Sequence, residues 1–171
     1  MNYHKIDHVD LSNGDGIRVV LWISGCSRNC YKCQNPQTHD KNSGIKFDED
    51  AMSELLMALK PDYIQGLTLS GGHPLEGYNV SEVERIVKRV KDEYPNKDIW
   101  IYTGYDFDYI YPNKRYERIL YYTDVIVDGR YEEWNRDVSL PYRGSSNQNI
   151  WRKINGKWQV NDIWLADNNT K

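Results

Sequence analysis

Cysteine is nearly missing from this 171-residue chain: it has three, and none outside positions 26 to 33. An odd, clustered count cannot build a disulfide framework. Free thiols suit a reducing compartment, so the cytoplasm is the expected location. Long apolar runs are missing too. Nothing approaches the ~18 residues of a membrane span, so no membrane partner is expected. The opening Met-Asn-Tyr-His-Lys-Ile-Asp lacks the apolar region of a signal peptide. There is no excess of positive charge, with Lys plus Arg at 22 against 25 for Asp plus Glu. A nucleic-acid module carries a basic excess or stripe, so no nucleic acid is expected as partner. What the chain does have is apolar and aromatic mass, including 14 Tyr and 6 Trp. That excludes a disordered chain. The length fits one domain over 1–171, able to bury a core without staples.

Gly16 to Ser24 is β-branched and almost wholly apolar, as a strand buried on both faces should be. The cysteines follow at once in a polar loop. Asp48 then caps a helix ending near Leu59, with Met52, Leu55, Leu56 and Leu59 on one face and Pro61 beyond. The cycle repeats. Ile64 to Ser70 is a second strand, broken by Gly71-Gly72-His73-Pro74. Ser81 and Glu84 read as a capping box for a helix carrying Val83, Ile86, Val87 and Val90. Asp98 to Tyr102 is a third strand, stopped at Thr103-Gly104. A weaker helix spans Lys114 to Tyr122, and Val125 to Val127 is a fourth strand, stopped at Asp128-Gly129.

Alternating strands and helices with short loops predict βαβ units and a parallel sheet. In such folds ligands sit at the carboxyl ends of the strands, so the loops after the four strands are expected to face one site. The C-terminal part differs. Asn155-Gly156 between Trp151–Ile154 and Lys157–Val160 predicts a hairpin on a type I′ turn. Trp151, Trp158 and Trp164 are expected to pack it onto the body, and Ala166 to Lys171 to form a frayed tail.

The cysteine spacing is Cys26-x3-Cys30-x2-Cys33. Thiolates ligate iron–sulfur clusters and structural zinc. Three of them can hold three irons of a cubane 4Fe-4S cluster, leaving the fourth iron open to a small molecule. Zinc is the alternative, with His39 or His73 as fourth ligand, although structural zinc motifs usually come as two knuckles. Gly71-Gly72, free of side chains, exposes backbone polar groups to a ligand.

With these residues together, the sequence resembles the radical S-adenosylmethionine (SAM) superfamily. The three cysteines after the first strand match its signature. Ser70-Gly71-Gly72-His73-Pro74 resembles its glycine-rich motif, with His73 where an acidic residue is commoner. Within the superfamily, the chain is most similar to the activating proteins of anaerobic (class III) ribonucleotide reductases. The segments that carry this are Asn13-Gly14-Asp15-Gly16-Ile17-Arg18, Tyr102-Thr103-Gly104-Tyr105, Asp128-Gly129-Arg130 and Arg143-Gly144-Ser145-Ser146-Asn147-Gln148. The resemblance covers about residues 1–152.

The resemblance implies a radical SAM oxidoreductase, a glycyl-radical activase. Cys26, Cys30 and Cys33 hold a 4Fe-4S cluster with one open iron that chelates SAM. One electron, from a donor such as a flavodoxin, cleaves the sulfonium bond. The resulting 5′-deoxyadenosyl radical takes hydrogen from a glycine of the reductase large subunit. The cofactors carry the chemistry, and the protein supplies position and electrostatics. By the same resemblance, Gly71, Gly72 and His73 cradle the methionine part of SAM, and Thr103 lies beside it. Lys32, Cys33 and Gln34 approach the adenine, with Lys32 where an aromatic residue is usual. Asp128 and Arg130 match an Asp-x-Lys pattern that contacts SAM.

Plainer readings stand beside these. Asp128 also reads as a strand end, and Thr103-Gly104 as a turn. Arg143 to Gln148 has no evident chemistry and reads as shaping the site or a partner surface. His4, His8 and His39 read as solvated. Four strands are too few for a closed barrel, so the expected fold is α/β, an abbreviated open (β/α) half-barrel with a C-terminal β-hairpin. Two other functions remain open at this point: a radical SAM enzyme acting on a small molecule, and a structural zinc-binding adaptor.

Overall fold

The computed structural model describes residues 1–160. Trp164 and the expected tail lie outside the described residues.

One mixed sheet of eight strands organises the chain. Its centre is β2 (Ile17–Ile23), β4 (Ile64–Gly71), β5 (Asp98–Tyr102) and β6 (Val125–Asp128), all parallel. Antiparallel strands flank it. On one side stand β1 (Asn2–Asp10) and β3 (Ile45–Lys46); on the other, β7 (Asn149–Ile154) and β8 (Lys157–Val160). The order β3-β1-β2-β4-β5-β6-β7-β8 leaves the sheet open. The helices are α1 (Glu49–Leu59), α2 (Val80–Glu93), α3 (Phe107–Ile110) and α4 (Glu117–Tyr122). None among the described residues is long and apolar enough to cross a membrane.

The helix stripes read from sequence face the core. Met52, Leu55, Leu56 and Leu59 of α1 are buried, as are Val83, Ile86, Val87 and Val90 of α2. They pack on Val19, Leu21, Ile23, Leu67 and Leu69 of the sheet. Asp48 caps α1, its carboxylate accepting from Ala51 N at 3.0 Å. The capping box at Ser81 does not form. The helix begins earlier, at Val80, with Asn79 at its N-cap. Tertiary bonds take Glu84, which pairs with Arg118 at 3.0 Å, and the N-cap Asn79, whose Nδ2 donates to Ser24 O and His73 O. The fourth helix starts at Glu117, three residues later than the sequence suggests.

The opposite face of the sheet carries a smaller cluster of Trp100, Val125, Val127 and Ile150. Arg18, wholly buried, lies 5.1 Å from the Trp100 ring and pairs with Asp98 at 2.6 Å. The sheet register puts Gly66 directly between the two, and a Cβ there would collide with the Asp98 carboxylate. Arg18 Nε also donates to Thr68 Oγ1 (2.7 Å), whose hydroxyl donates to Asn13 O (2.8 Å). Thus the Asn13–Arg18 segment ties its loop to the sheet. The hairpin docks through Trp151, stacked on Phe107 with centroids 4.2 Å apart, and Trp158, 5.4 Å from the same ring.

Candidate active site

The loops after β2, β4, β5 and β6 meet at one cleft of about 150 Å³. Cys26, Cys30 and Cys33 line it together with Gly71, Gly72 and Thr103. A larger hollow of about 580 Å³ lies by Tyr111, Tyr121 and Trp158, but no cysteine lines it.

Backbone bonds draw the loops together. Gly72 N donates to Ile23 O (2.7 Å) and His73 N to Gly25 O (2.8 Å), stitching the β4 loop to the start of the cysteine loop. Both glycines are required by that seam. Gly71 has φ +94°, and a Cβ on Gly72 would stand 2.7 Å from Gly25 O. Left-handed backbone and close approach are what glycine permits. Farther on, Gly25 N bonds Thr38 O (2.7 Å) and Cys26 N bonds His39 O (2.9 Å).

All three cysteines are free. Burial pushes the Cys26 thiol up, against the opposing pull of backbone N–H donors at Arg28 and Asn29. Burial raises Cys33 as well, opposed by the Asn35 N–H, which lies 3.4 Å from its sulfur. Such donors stabilise sulfur in its anionic, metal-ligating form. No three His, Cys, Asp or Glu side chains among the described residues gather tightly enough to hold one metal ion.

Beneath the cleft runs a buried relay. His73 Nε2 lies 2.7 Å from Thr103 Oγ1, and His73 Nδ1 lies 3.3 Å from Glu76 Oε1. Glu76 also accepts from Ser27 N at 2.9 Å and from the Ser27 hydroxyl. Burial lowers the His73 pKa to about 4, so the imidazole is neutral. Burial also pushes Glu76 upward, but the Ser27 donors and His73 outweigh it, and its carboxyl sits below the ordinary value.

A family model described as a 4Fe-4S single cluster domain matches residues 12–151. Several relatives carry the name anaerobic ribonucleoside-triphosphate reductase-activating protein. The one from Enterobacteria phage T4 is 43% identical over 159 residues, 93% of this chain and 99% of the relative. That of Pasteurella multocida is 42% identical over 154 residues, 89% and 98% of the two chains. That of Escherichia coli K12 is 40% identical over 150 residues, 86% and 96%. The chain belongs to this family.

Of the positions that the family resemblance singles out, Cys26, Cys30, Cys33, Gln34, Gly71, Gly72 and Thr103 line the cleft. Others stand outside its lining. His73 lies under the floor. Lys32 pairs with Glu133 at 3.0 Å on the surface. Arg130 Nη2 donates to Arg28 O at 2.7 Å. Asp128 is buried, and its carboxylate accepts from Phe107 N, Asn149 N, Asn149 Nδ2 and Trp151 Nε1 at 2.8–3.2 Å. It therefore ties β6 to α3 and β7. His39 is not solvated as expected: its carbonyl pairs with Cys26 N, and its Nε2 is buried without a partner.

The Arg143–Gln148 segment does shape the cleft. Gln148 Oε1 accepts from Gly144 N (2.9 Å) and Ser145 N (3.2 Å), while its Nε2 donates to Gly129 O (3.0 Å). One side chain thus clips two lining glycines together. A Cβ on Gly144 would lie 2.9 Å from the Tyr131 ring, so glycine lets that ring close in. Arg28 and Tyr131 line the cleft without having been singled out in the sequence. For Arg28 the available signal was its place between the first two cysteines.

Proposed function

We propose that this chain activates an anaerobic ribonucleotide reductase by reductive cleavage of SAM at a 4Fe-4S cluster held by Cys26, Cys30 and Cys33. The observation that carries the reading is the shared cleft. Three free cysteines and the bare Gly71–Gly72 backbone open into one space, and the family is named for this activation. When bound, the cluster supplies one electron to the sulfonium of SAM, giving methionine and a 5′-deoxyadenosyl radical that takes hydrogen from a reductase glycine. The electron comes from an external donor such as a flavodoxin.

The chain's own residues hold and position. The N–H groups of Gly72 and His73 are already occupied inside the protein, so the turn offers carbonyl oxygens, the acceptors that a ligand ammonium needs. Gln34 and Thr103 border the same space, and Tyr102 and Tyr131 wall it. Gly129, Gly144 and Gln148 complete the rim. We read the four parallel strands as an abbreviated half-barrel whose unclosed side admits a loop of the large subunit. Free thiols and an oxygen-free reaction suit the cytoplasm.

The test begins with anaerobic reconstitution with iron and sulfide, then SAM, dithionite and the reductase large subunit. A brown protein that yields the EPR doublet of a glycyl radical on that subunit supports the proposal. Cys30→Ala should take up less cluster iron and cleave no SAM. Cleavage without a radical on the subunit would move the assignment to a small-molecule substrate. Tight zinc with no cluster would make the chain an adaptor.

A further inference from the structure

Among the described residues that line the cleft, Arg28 is the one charged side chain. Its Nε is buried and has no hydrogen-bond partner. The neighbouring cations are engaged, Lys32 by Glu133 and Arg130 by the Arg28 carbonyl. The Arg28 stem reaches the loop after β5, its Cγ 2.9 Å from where a Cβ on Gly104 would stand. The guanidinium carbon then stands 4.4 Å from the Tyr105 ring centroid, a cation–π contact. A cation–π contact uses none of the guanidinium's N–H donors, which can still serve an anion.

We propose that Arg28 holds the carboxylate of the methionine part of SAM. The inference rests on the SAM reading above. A bidentate guanidinium–carboxylate pair, made through the two terminal nitrogens, fixes the ligand's orientation. The backbone carbonyls of the Gly71–Gly72 turn then take the ammonium, so the zwitterion is read from both sides.

Equilibrium dialysis on the anaerobically reconstituted protein tests this, with SAM and decarboxylated SAM as the two probes. Wild type should prefer SAM strongly. Arg28→Gln should lose about tenfold or more of the SAM affinity while decarboxylated SAM is held as before, as expected for a charged hydrogen bond removed. Arg28→Lys should restore part of the preference. Iron content and visible absorption of each variant check that the cluster is intact. If Arg28→Gln loses the cluster, Arg28→Lys alone decides: an unchanged preference overturns the inference. A wild-type preference kept in full by Arg28→Gln also overturns it. So does a variant whose only change is a shifted cluster potential, since Arg28 would then balance the cluster's charge. Wild type binding neither probe would refute the SAM reading itself, a separate result.

Discussion

His73 Nε2 stands 2.7 Å from the hydroxyl oxygen of Thr103, and that oxygen also accepts from Tyr105 N at 3.1 Å. The ionised Glu76 carboxylate can only accept, so the neutral imidazole carries its proton on Nδ1, toward Glu76, and Nε2 accepts from the Thr103 hydroxyl. Burial, working against the pull of Glu76, is what keeps the imidazole uncharged.

The relay makes stability pH-dependent. Folding holds the His73 pKa near 4 against 6.5 unfolded, so the unfolded chain binds the extra proton first as pH falls. His73 therefore contributes in full above about pH 6.5, and the contribution is lost between there and about pH 4. The full displacement corresponds to about 3 kcal/mol. Urea midpoints measured across that window should fall with pH in wild type and stay flatter in His73→Gln. Parallel curves would remove His73 as the cause.

The Gly72 seam sets a second expectation. Gly72→Ala drives a Cβ against Gly25 O and Ile23 O and should destabilise the fold by about 1–3 kcal/mol. It should also reduce the iron retained after reconstitution, since it parts the two loops of the cleft. Gly156→Ala is the control, because nothing lies within 4 Å of a Cβ there, although φ is +76°. It should cost about 1–2 kcal/mol of backbone strain and leave iron binding alone. Equal iron loss in both variants would contradict the seam.

Asp128 separates a scaffold role from a ligand role. Both of its oxygens are acceptors, each for two donors. Asp128→Asn turns an amide NH2 against two of those donors and should cost about 2–4 kcal/mol in the denaturant midpoint. Trp151 fluorescence should shift as its indole N–H loses its partner. An unchanged midpoint with weakened SAM binding would instead mark Asp128 as a ligand residue.

The legible parts of the sequence were those where one residue type does one thing. Cys26, Cys30 and Cys33 announce soft-metal chemistry, and Gly71-Gly72 announces a backbone that something approaches closely. The central strands were plain because both faces are buried. β1 was not, because only Tyr3 within it is buried and the rest is charged or half-exposed. Ser81 and Glu84 misled because Glu84 has a better partner across space in Arg118. Arg28, Tyr131 and Gln148 acquire their places from loops distant in sequence, which no local spacing encodes.

The cysteine loop is held by main-chain bonds that involve no sulfur: Gly25 to Thr38, Cys26 to His39 and, across the seam, Gly72 to Ile23. These bonds tie the loop to β2 and to the Thr38–His39 segment without any sulfur. In a small zinc finger the metal is the fold; here the metal group is freight. Loss of the metal group is therefore expected to leave the loop's backbone in place, seen as an unchanged far-UV spectrum.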